Sequence, residues 1–243
     1  MTRTLVSLGS NLGDRGGALD SAERLLSDIN GLSRLSFSQR HTTRSVGGPS
    51  GQGEFLNSAA CFECALSPEE LLSALQAIES SLGRERDERW AARFLDLDVI
   101  FFGENISHKK SLRLPHPRLS FRPFVLSPAV ELAGDWVHPE LGVSLAYLLE
   151  TLHAGRDVLA IVEDRQRGPY EALLRAQFAR SGPAIEPFDP RAPAPKLLID
   201  ARRDPSRFAP PGCPRLALAD CPAEHWRSEV LAAVACVWPS LAD

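Results

Sequence analysis

Arg89-Trp90-Ala91-Ala92-Arg93-Phe94-Leu95-Asp96-Leu97-Asp98-Val99-Ile100-Phe101-Phe102 is the stretch on which the reading of this chain turns. Its second half is aromatic and β-branched, free of Pro and closed by Gly103, which predicts a strand. Side chains alternate across a strand, so Asp96 and Asp98 share one face, roughly 6.6 Å apart at a rise of about 3.3 Å per residue. Two like charges on a mostly apolar strand are costly unless a cation lies between them. Mg²⁺, which takes hard oxygen ligands and is commonly held by one or two carboxylates plus phosphates, answers that need. Arg84, Arg86, Arg89 and Arg93 just upstream suit phosphate oxygens. Metal carboxylates beside phosphate arginines point to phosphoryl-group chemistry. The stretch alone leaves a second reading equally open, an acidic strand face paired with arginines as a surface salt-bridge ladder.

Upstream of this stretch, residues 3–9 form an apolar strand that runs into Gly9-Ser10-Asn11-Leu12-Gly13-Asp14, a turn with Asp14 as N-cap. Leu19, Ala22, Leu25, Leu26 and Ile29 follow at helical spacing. A strand is expected over 33–43, then a Gly-rich segment from Val46 to Gly53, then a strand from Phe55 to Leu66. Ser67-Pro68-Glu69-Glu70 starts a helix, with Ser at N-cap, Pro at N1 and Glu at N3. Gly83 ends it. The order strand, helix, strand, strand, helix, strand is that of a ferredoxin-like βαββαβ fold, an α+β antiparallel sheet with helices on one face. Downstream, Leu112 to Leu119 reads as a proline-stiffened loop, and Val143 to Leu152 as an amphipathic helix.

The character changes near residue 158. Strand-like runs at 158–164, 196–200 and 215–220, with helices expected over 170–179 and 223–237, suggest a small C-terminal α/β module. The division expected is 1–157 for the main domain and 158–243 for the accessory module. Residues 183–222 hold ten of the nineteen prolines and are expected to be loop-rich.

Composition excludes several classes. A 44% hydrophobic, 24% charged chain of 243 residues is an ordinary globular sequence. Its net charge of −4 gives no broad basic field for nucleic acid. No apolar run reaches the roughly 18 residues of a membrane span, and the N-terminus has no signal-peptide pattern, so a cytoplasmic protein is expected. Five irregularly spaced cysteines suggest reduced thiols. Cys61 and Cys64 are three apart on a strand and point to opposite faces, which suits a structural role.

With these pieces in order, residues 3–157 resemble the 6-hydroxymethyl-7,8-dihydropterin pyrophosphokinase family. The resemblance rests on Leu8-Gly9-Ser10-Asn11-Leu12-Gly13-Asp14, on Val46-Gly47-Gly48-Pro49 with Phe55-Leu56-Asn57, and on Gly83-Arg84-x-Arg86-x-x-Arg89-Trp90-x-x-Arg93-x-Leu95-Asp96-Leu97-Asp98-Val99. Pro115-His116-Pro117-Arg118 and Arg122-x-Phe124-Val125-Leu126 complete it. It implies transfer of pyrophosphate from ATP to the pterin hydroxymethyl group with release of AMP. By similarity, Asp96 and Asp98 bind two Mg²⁺ ions that arrive with ATP, and Phe55 and Phe124 stack the pterin. Asn57, Thr43 and the backbone at Val46 would bond the pterin edge, and Trp90 would close over it. Arg84, Arg93, His116 and Arg122 match positions contacting ATP or its phosphates, Arg84 and Arg93 among the catalytic set. Gln76 and Glu79 match helix positions near the ligands, Gln76 on the ATP side. The chain departs from the family's Trp-Gly-Pro-Arg with Trp90-Ala91-Ala92-Arg93, and no residue stands out as a general base.

A non-catalytic pterin or nucleotide binder of the same fold is the alternative, and the Asp-Leu-Asp pair by itself also permits a two-metal nuclease or a glycosyltransferase. For residues 158–243 the options are a self-association or docking module, a degenerate nucleotide-binding half-domain, or a stability extension. Asp200 and Asp220, at strand ends, are the positions where α/β folds place sites or caps.

Overall fold

The Asp-Leu-Asp strand, β5 (Asp96–Phe102), is an edge of a five-stranded antiparallel sheet. The computed structural model describes residues 1–46, 53–83, 93–162, 170–178, 182–202, 212–219, 221–222 and 225–241. The other strands are β1 (Thr2–Ser10), β2 (Leu32–Phe37), β3 (His41–Thr43) and β4 (Phe55–Cys64). The order across the sheet is β2-β4-β1-β5, and β3 pairs with β4 beyond the end of β2. The single strand expected over 33–43 is therefore two. Ser38 makes the break: its hydroxyl accepts from the Ala59 N–H at 2.9 Å, a side chain standing in the ladder.

Helices α1 (Arg15–Ser27) and α2 (Pro68–Ser81) lie between strands in the chain. Both begin where the sequence says. The Asp14 carboxylate accepts from the Gly17 N–H, and Ser67 and Glu70 form a reciprocal capping box, a device worth about 1 kcal/mol. Their apolar faces (Leu19, Ala22, Leu26; Leu71, Leu75, Ile78) pack with Val6, Leu8, Ala60, Phe62, Cys64, Leu97 and Val99. The opposite face carries Leu5, Ala59, Cys61 and Ile100. Cys61 and Cys64 thus fall on opposite faces, as the offset of three requires.

That opposite face is covered by α3 (Pro123–Ala133), a helix not foreseen from the sequence. Two prolines mask its periodicity. Pro123 occupies the first helical position, where its missing N–H is no loss, and Pro128 sits inside. Glu131 on α3 ties the helix to the β2–β3 break, accepting from the Gln39 N–H at 2.8 Å and meeting His41 Nε2 at 2.6 Å. A short hairpin of β6 (Ser107–Lys109) and β7 (Leu112–Leu114) precedes a 3₁₀ turn, Leu119–Phe121. Proline-stiffened loop is left only from Pro115 to Arg118.

After α4 (Leu145–Ala154), a second sheet of four parallel strands begins. It contains β8 (Arg156–Val162), β9 (Ala184–Pro187), β10 (Pro195–Asp200) and β11 (Arg215–Ala217), in the order β11-β10-β8-β9, with α5 (Tyr170–Gln177) and α6 (Trp226–Val237). β9 was hidden in the proline-rich stretch. One apolar cluster runs from the first sheet (Leu5, Ile100, Phe101) through α3 and α4 to Leu159, Leu197, Ile199 and the α6 residues Val230, Ala233 and Val234. The change of sheet at β8 is thus not a change of core. Among the described residues no helix is long and apolar enough to cross a membrane.

Candidate active site

Strand register sets out the site. Gly9 on β1 stands opposite Asn57 on β4 and opposite Asp96 on β5, so these three residues form one row across the sheet. Two interstrand spacings of about 4.8 Å separate the ends of that row by roughly 10 Å. Gly9 keeps the middle low. A Cβ there would come within 3.2 Å of Asn57 Oδ1 and 3.7 Å of the Phe55 ring. One row further along β1, Ser7 stands opposite Asp98. Beyond α3 this end of the sheet face is a cavity of about 280 Å³.

The cavity is lined by Thr43, Val46, Phe55, Asn57, Arg93, Asp96, Asp98, His116, Arg122 and Phe124, ten of the residues that the sequence pattern picks out. Gln76 lies on α2, half-buried and outside this lining. Arg84 and Trp90 lie outside the described residues, as do Arg86, Arg89 and the Gly47–Gln52 segment. Glu79 belongs to the other face of the sheet. It is buried, and its carboxylate accepts from the Leu97 N–H at 2.8 Å, holding β5 between the two aspartates. Its position near the ligands is that of a strand anchor rather than a cavity wall.

At one end of the row, the Asn57 amide is buried and donates from Nδ2 to Thr43 Oγ1 at 2.9 Å. At the other end Arg93 Nη1 donates to Asp96 Oδ1 at 2.6 Å. Arg93 is itself fixed by Asn11, whose side-chain oxygen accepts from the Arg93 N–H at 2.7 Å, while the Asn11 N–H donates to the Arg93 carbonyl at 3.1 Å. Sequence reasoning passed over Asn11 as a turn residue; a buried Asn beyond a strand end was its signal. Arg44 and Arg118 also line the cavity without having been singled out.

His116 closes the site opposite Asp98, with Nε2 3.9 Å from Asp98 Oδ2. Its Nδ1 accepts from the Arg118 N–H at 3.2 Å, which leaves the proton on Nε2, facing the carboxylate. Burial, reinforced by Arg122 and Arg118, pushes its pKa down to about 3, so the ring is a neutral donor at physiological pH. Burial also lowers the Arg122 pKa from its usual value. The guanidinium lies 5.5 Å from the Phe124 ring centroid, and its buried Nε has no hydrogen-bond partner among the described residues. An acceptor is missing there, of the kind an anionic ligand supplies.

The donor set fits Mg²⁺. Two hard carboxylates side by side on one strand, a quarter and two-fifths exposed, leave the remaining positions for water and phosphate oxygens, as this ion prefers.

Paired carboxylates, arginines and a neutral histidine around one cavity of an α+β fold suit phosphoryl-group chemistry. The family described as 7,8-dihydro-6-hydroxymethylpterin-pyrophosphokinase (HPPK) matches residues 5–134, and the chain belongs to that family. Among its relatives are two proteins named 2-amino-4-hydroxy-6-hydroxymethyldihydropteridine pyrophosphokinase. That of Synechocystis is 39% identical over 60% of this chain and 74% of its own length. That of Pseudomonas aeruginosa is 41% identical over 57% of this chain and 85% of its own length. A solved structure of Plasmodium falciparum HPPK-DHPS with pterin and p-hydroxybenzoate aligns at a TM-score of 0.44 and 11% identity, over 82% of this chain and 55% of that one, too weak a likeness to bear on fold or function. The family match stops short of α4 and the parallel sheet.

Proposed function

We propose that this chain transfers pyrophosphate from ATP to the hydroxymethyl group of 6-hydroxymethyl-7,8-dihydropterin, releasing AMP, in folate biosynthesis. One observation carries the reading: the Asn57–Gly9–Asp96 row joins an aromatic and amide end to a carboxylate end within a single cavity. The pterin ring lies over Gly9 between Phe55 and Phe124, its edge bonded to Asn57, which Thr43 orients. That places the hydroxymethyl oxygen toward Asp96 and Asp98. The oxygen attacks the β-phosphorus of ATP; the bond from that phosphorus to the α-phosphate oxygen breaks, and AMP leaves.

Asp96 and Asp98 would hold Mg²⁺, two ions by the family resemblance, and bound there the metal would supply neutralisation of phosphate charge. Arg93, fixed by Asn11, and Arg122, with its unpartnered Nε, bind phosphate oxygens. The neutral His116 donates from Nε2 without adding charge beside the metal carboxylates. Phosphoryl transfer of this kind rests on positioning and electrostatics, so a dedicated base is not required. The strand order supports reading the first sheet as ferredoxin-like βαββαβ, with catalysis assigned to residues 1–157 and residues 158–243 as an accessory α/β module.

The test is the product. Purified protein with Mg²⁺, ATP and the pterin is expected to release AMP in step with pterin consumption. ADP as the sole nucleotide product would make it an ordinary kinase and end this assignment. Binding of both ligands without turnover would leave a non-catalytic relative.

A further inference from the structure

The loop that carries His116 is held from two sides. On one, the His116 N–H donates to the Ile100 carbonyl of β5 at 3.0 Å. On the other it is gripped by the second sheet and its last helix. Arg118 Nη2 donates to both carboxylate oxygens of Glu229 on α6, at 2.9 and 2.7 Å. Ser120 Oγ accepts from the Arg215 N–H at 2.9 Å and lies 3.2 Å from the Arg215 carbonyl, at the first residue of β11. Leu119 and Phe121 belong to the same apolar cluster as Val230, Ala233 and Val234 of α6.

These contacts reach the cavity. Arg118 lines it, and the backbone N–H of Arg118 is the donor that fixes the His116 tautomer. A chain of contacts therefore runs from Glu229 through Arg118 to His116 Nδ1, and so to the Nε2 proton facing Asp98. The Glu229 side chain is only 8% exposed. A buried ion pair is a poor source of stability, since apolar residues of similar volume commonly do as well or better. What such a pair offers is a fixed geometry, and here the geometry it fixes is that of the site.

We propose that β11 and α6 brace the His116–Arg122 segment, and that Glu229 is a positioning residue for nucleotide binding. The proposal rests on the reading of the cavity as the ATP site. Pairing with Glu229 holds the Arg118 side chain at the cavity wall, and through its backbone holds His116 with the Nε2 proton toward the phosphates. Asp200, at its strand end, is fully buried and occupied by Arg202.

The test uses the full chain and compares wild type with Glu229→Gln and with the apolar pair Arg118→Met/Glu229→Leu. The readouts are the Kd of a non-hydrolysable ATP analogue with Mg²⁺, the KM and kcat for AMP release, and the melting temperature. Glu229→Gln is expected to weaken nucleotide binding about tenfold, with kcat within about twofold of wild type. The apolar pair is expected to melt no lower than wild type and still bind nucleotide about tenfold more weakly. A folded apolar pair with wild-type Kd and KM would overturn the proposal and leave the contacts purely structural. Failure of the wild type to release AMP would instead strike the proposed function, and the binding arm would still be readable.

Discussion

Each of the two sheets carries aspartate at one end of a strand, β5 at its start and β10 at its finish, and the two sheets treat it in opposite ways. In the antiparallel sheet, Asp96 and Asp98 open on a cavity, with an arginine on one and a neutral histidine 3.9 Å from the other. In the parallel sheet, Asp200 has no exposure at all. Arg202 donates to both of its oxygens at 2.9 and 2.7 Å, and Arg215 lies 3.8 Å away. A carboxylate that borders a cavity has coordination left to offer a ligand bound there. One whose oxygens are taken by its own neighbours has none. The difference separates a site from a staple where residue type and strand-end position do not.

The comparison breaks most readily at Asp98. Asp98→Ala is expected to lower kcat/KM for AMP release by roughly 10³-fold, about 4 kcal/mol of transition-state stabilisation, with little change in melting temperature. Near-wild-type turnover would remove the metal assignment. Asp200→Ala should behave the other way. Removing the buried Asp200 carboxylate, and with it the pair to Arg202, should cost about 3 kcal/mol of stability in urea unfolding, while the folded fraction keeps a wild-type KM for the pterin. A large KM change without loss of stability would make Asp200 part of a site after all.

How much of this was legible in the sequence depends on which interactions decide each part. Local signals served well where local chemistry rules: the Asp14 and Ser67 caps, the alternation that puts Asp96 and Asp98 on one face, the Cys61–Cys64 offset. They failed where a neighbour in space rules. The α3 helix was hidden by Pro123 and Pro128, and it forms because its apolar face covers the sheet. Glu79 matches a family position near the ligands, and the fold adds that its carboxylate accepts from the Leu97 N–H. Asn11, Arg118 and Glu229 do their work across separations of about eighty residues or more, which no periodicity encodes. The options for the C-terminal region stayed open for the same reason, since its apolar faces are matched by residues of the first sheet.

Two histidines packed against β5 make a second comparison. His116 faces the cavity, whereas His138 is packed edge-on to Phe101 at 5.6 Å with its Nδ1 accepting from the Glu140 and Leu141 N–H groups. Burial, with Arg215 nearby, pushes the His138 pKa down to about 4. The folded pKa lies below the unfolded value of 6.5, so the unfolded state takes up the proton first as pH falls. Stability from the neutral ring is present above pH 6.5 and is lost progressively toward pH 4. Between pH 7 and pH 5 that loss is about 2 kcal/mol for this one group. Urea titrations at both pH values should show His138→Gln less acid-sensitive than wild type by that amount. Equal sensitivity would mean the ring is solvated and the packing around Phe101 looser than described.

The smallest effect tests the finest feature, the pterin-side end of the row. Thr43 accepts the Asn57 amide and so fixes which way that amide faces. Thr43→Val keeps the β-branched shape of a strand residue and removes only the acceptor. Asn57, buried and free to rotate its amide, should then spend part of its time with oxygen and nitrogen exchanged. The cost should be about 1 kcal/mol, the worth of one hydrogen bond, seen as a KM for the pterin raised about fivefold with kcat and ATP affinity unchanged. If kcat fell as well, Thr43 would bear on the attacking oxygen, and the separation of the row into a pterin end and a phosphate end would have to be given up.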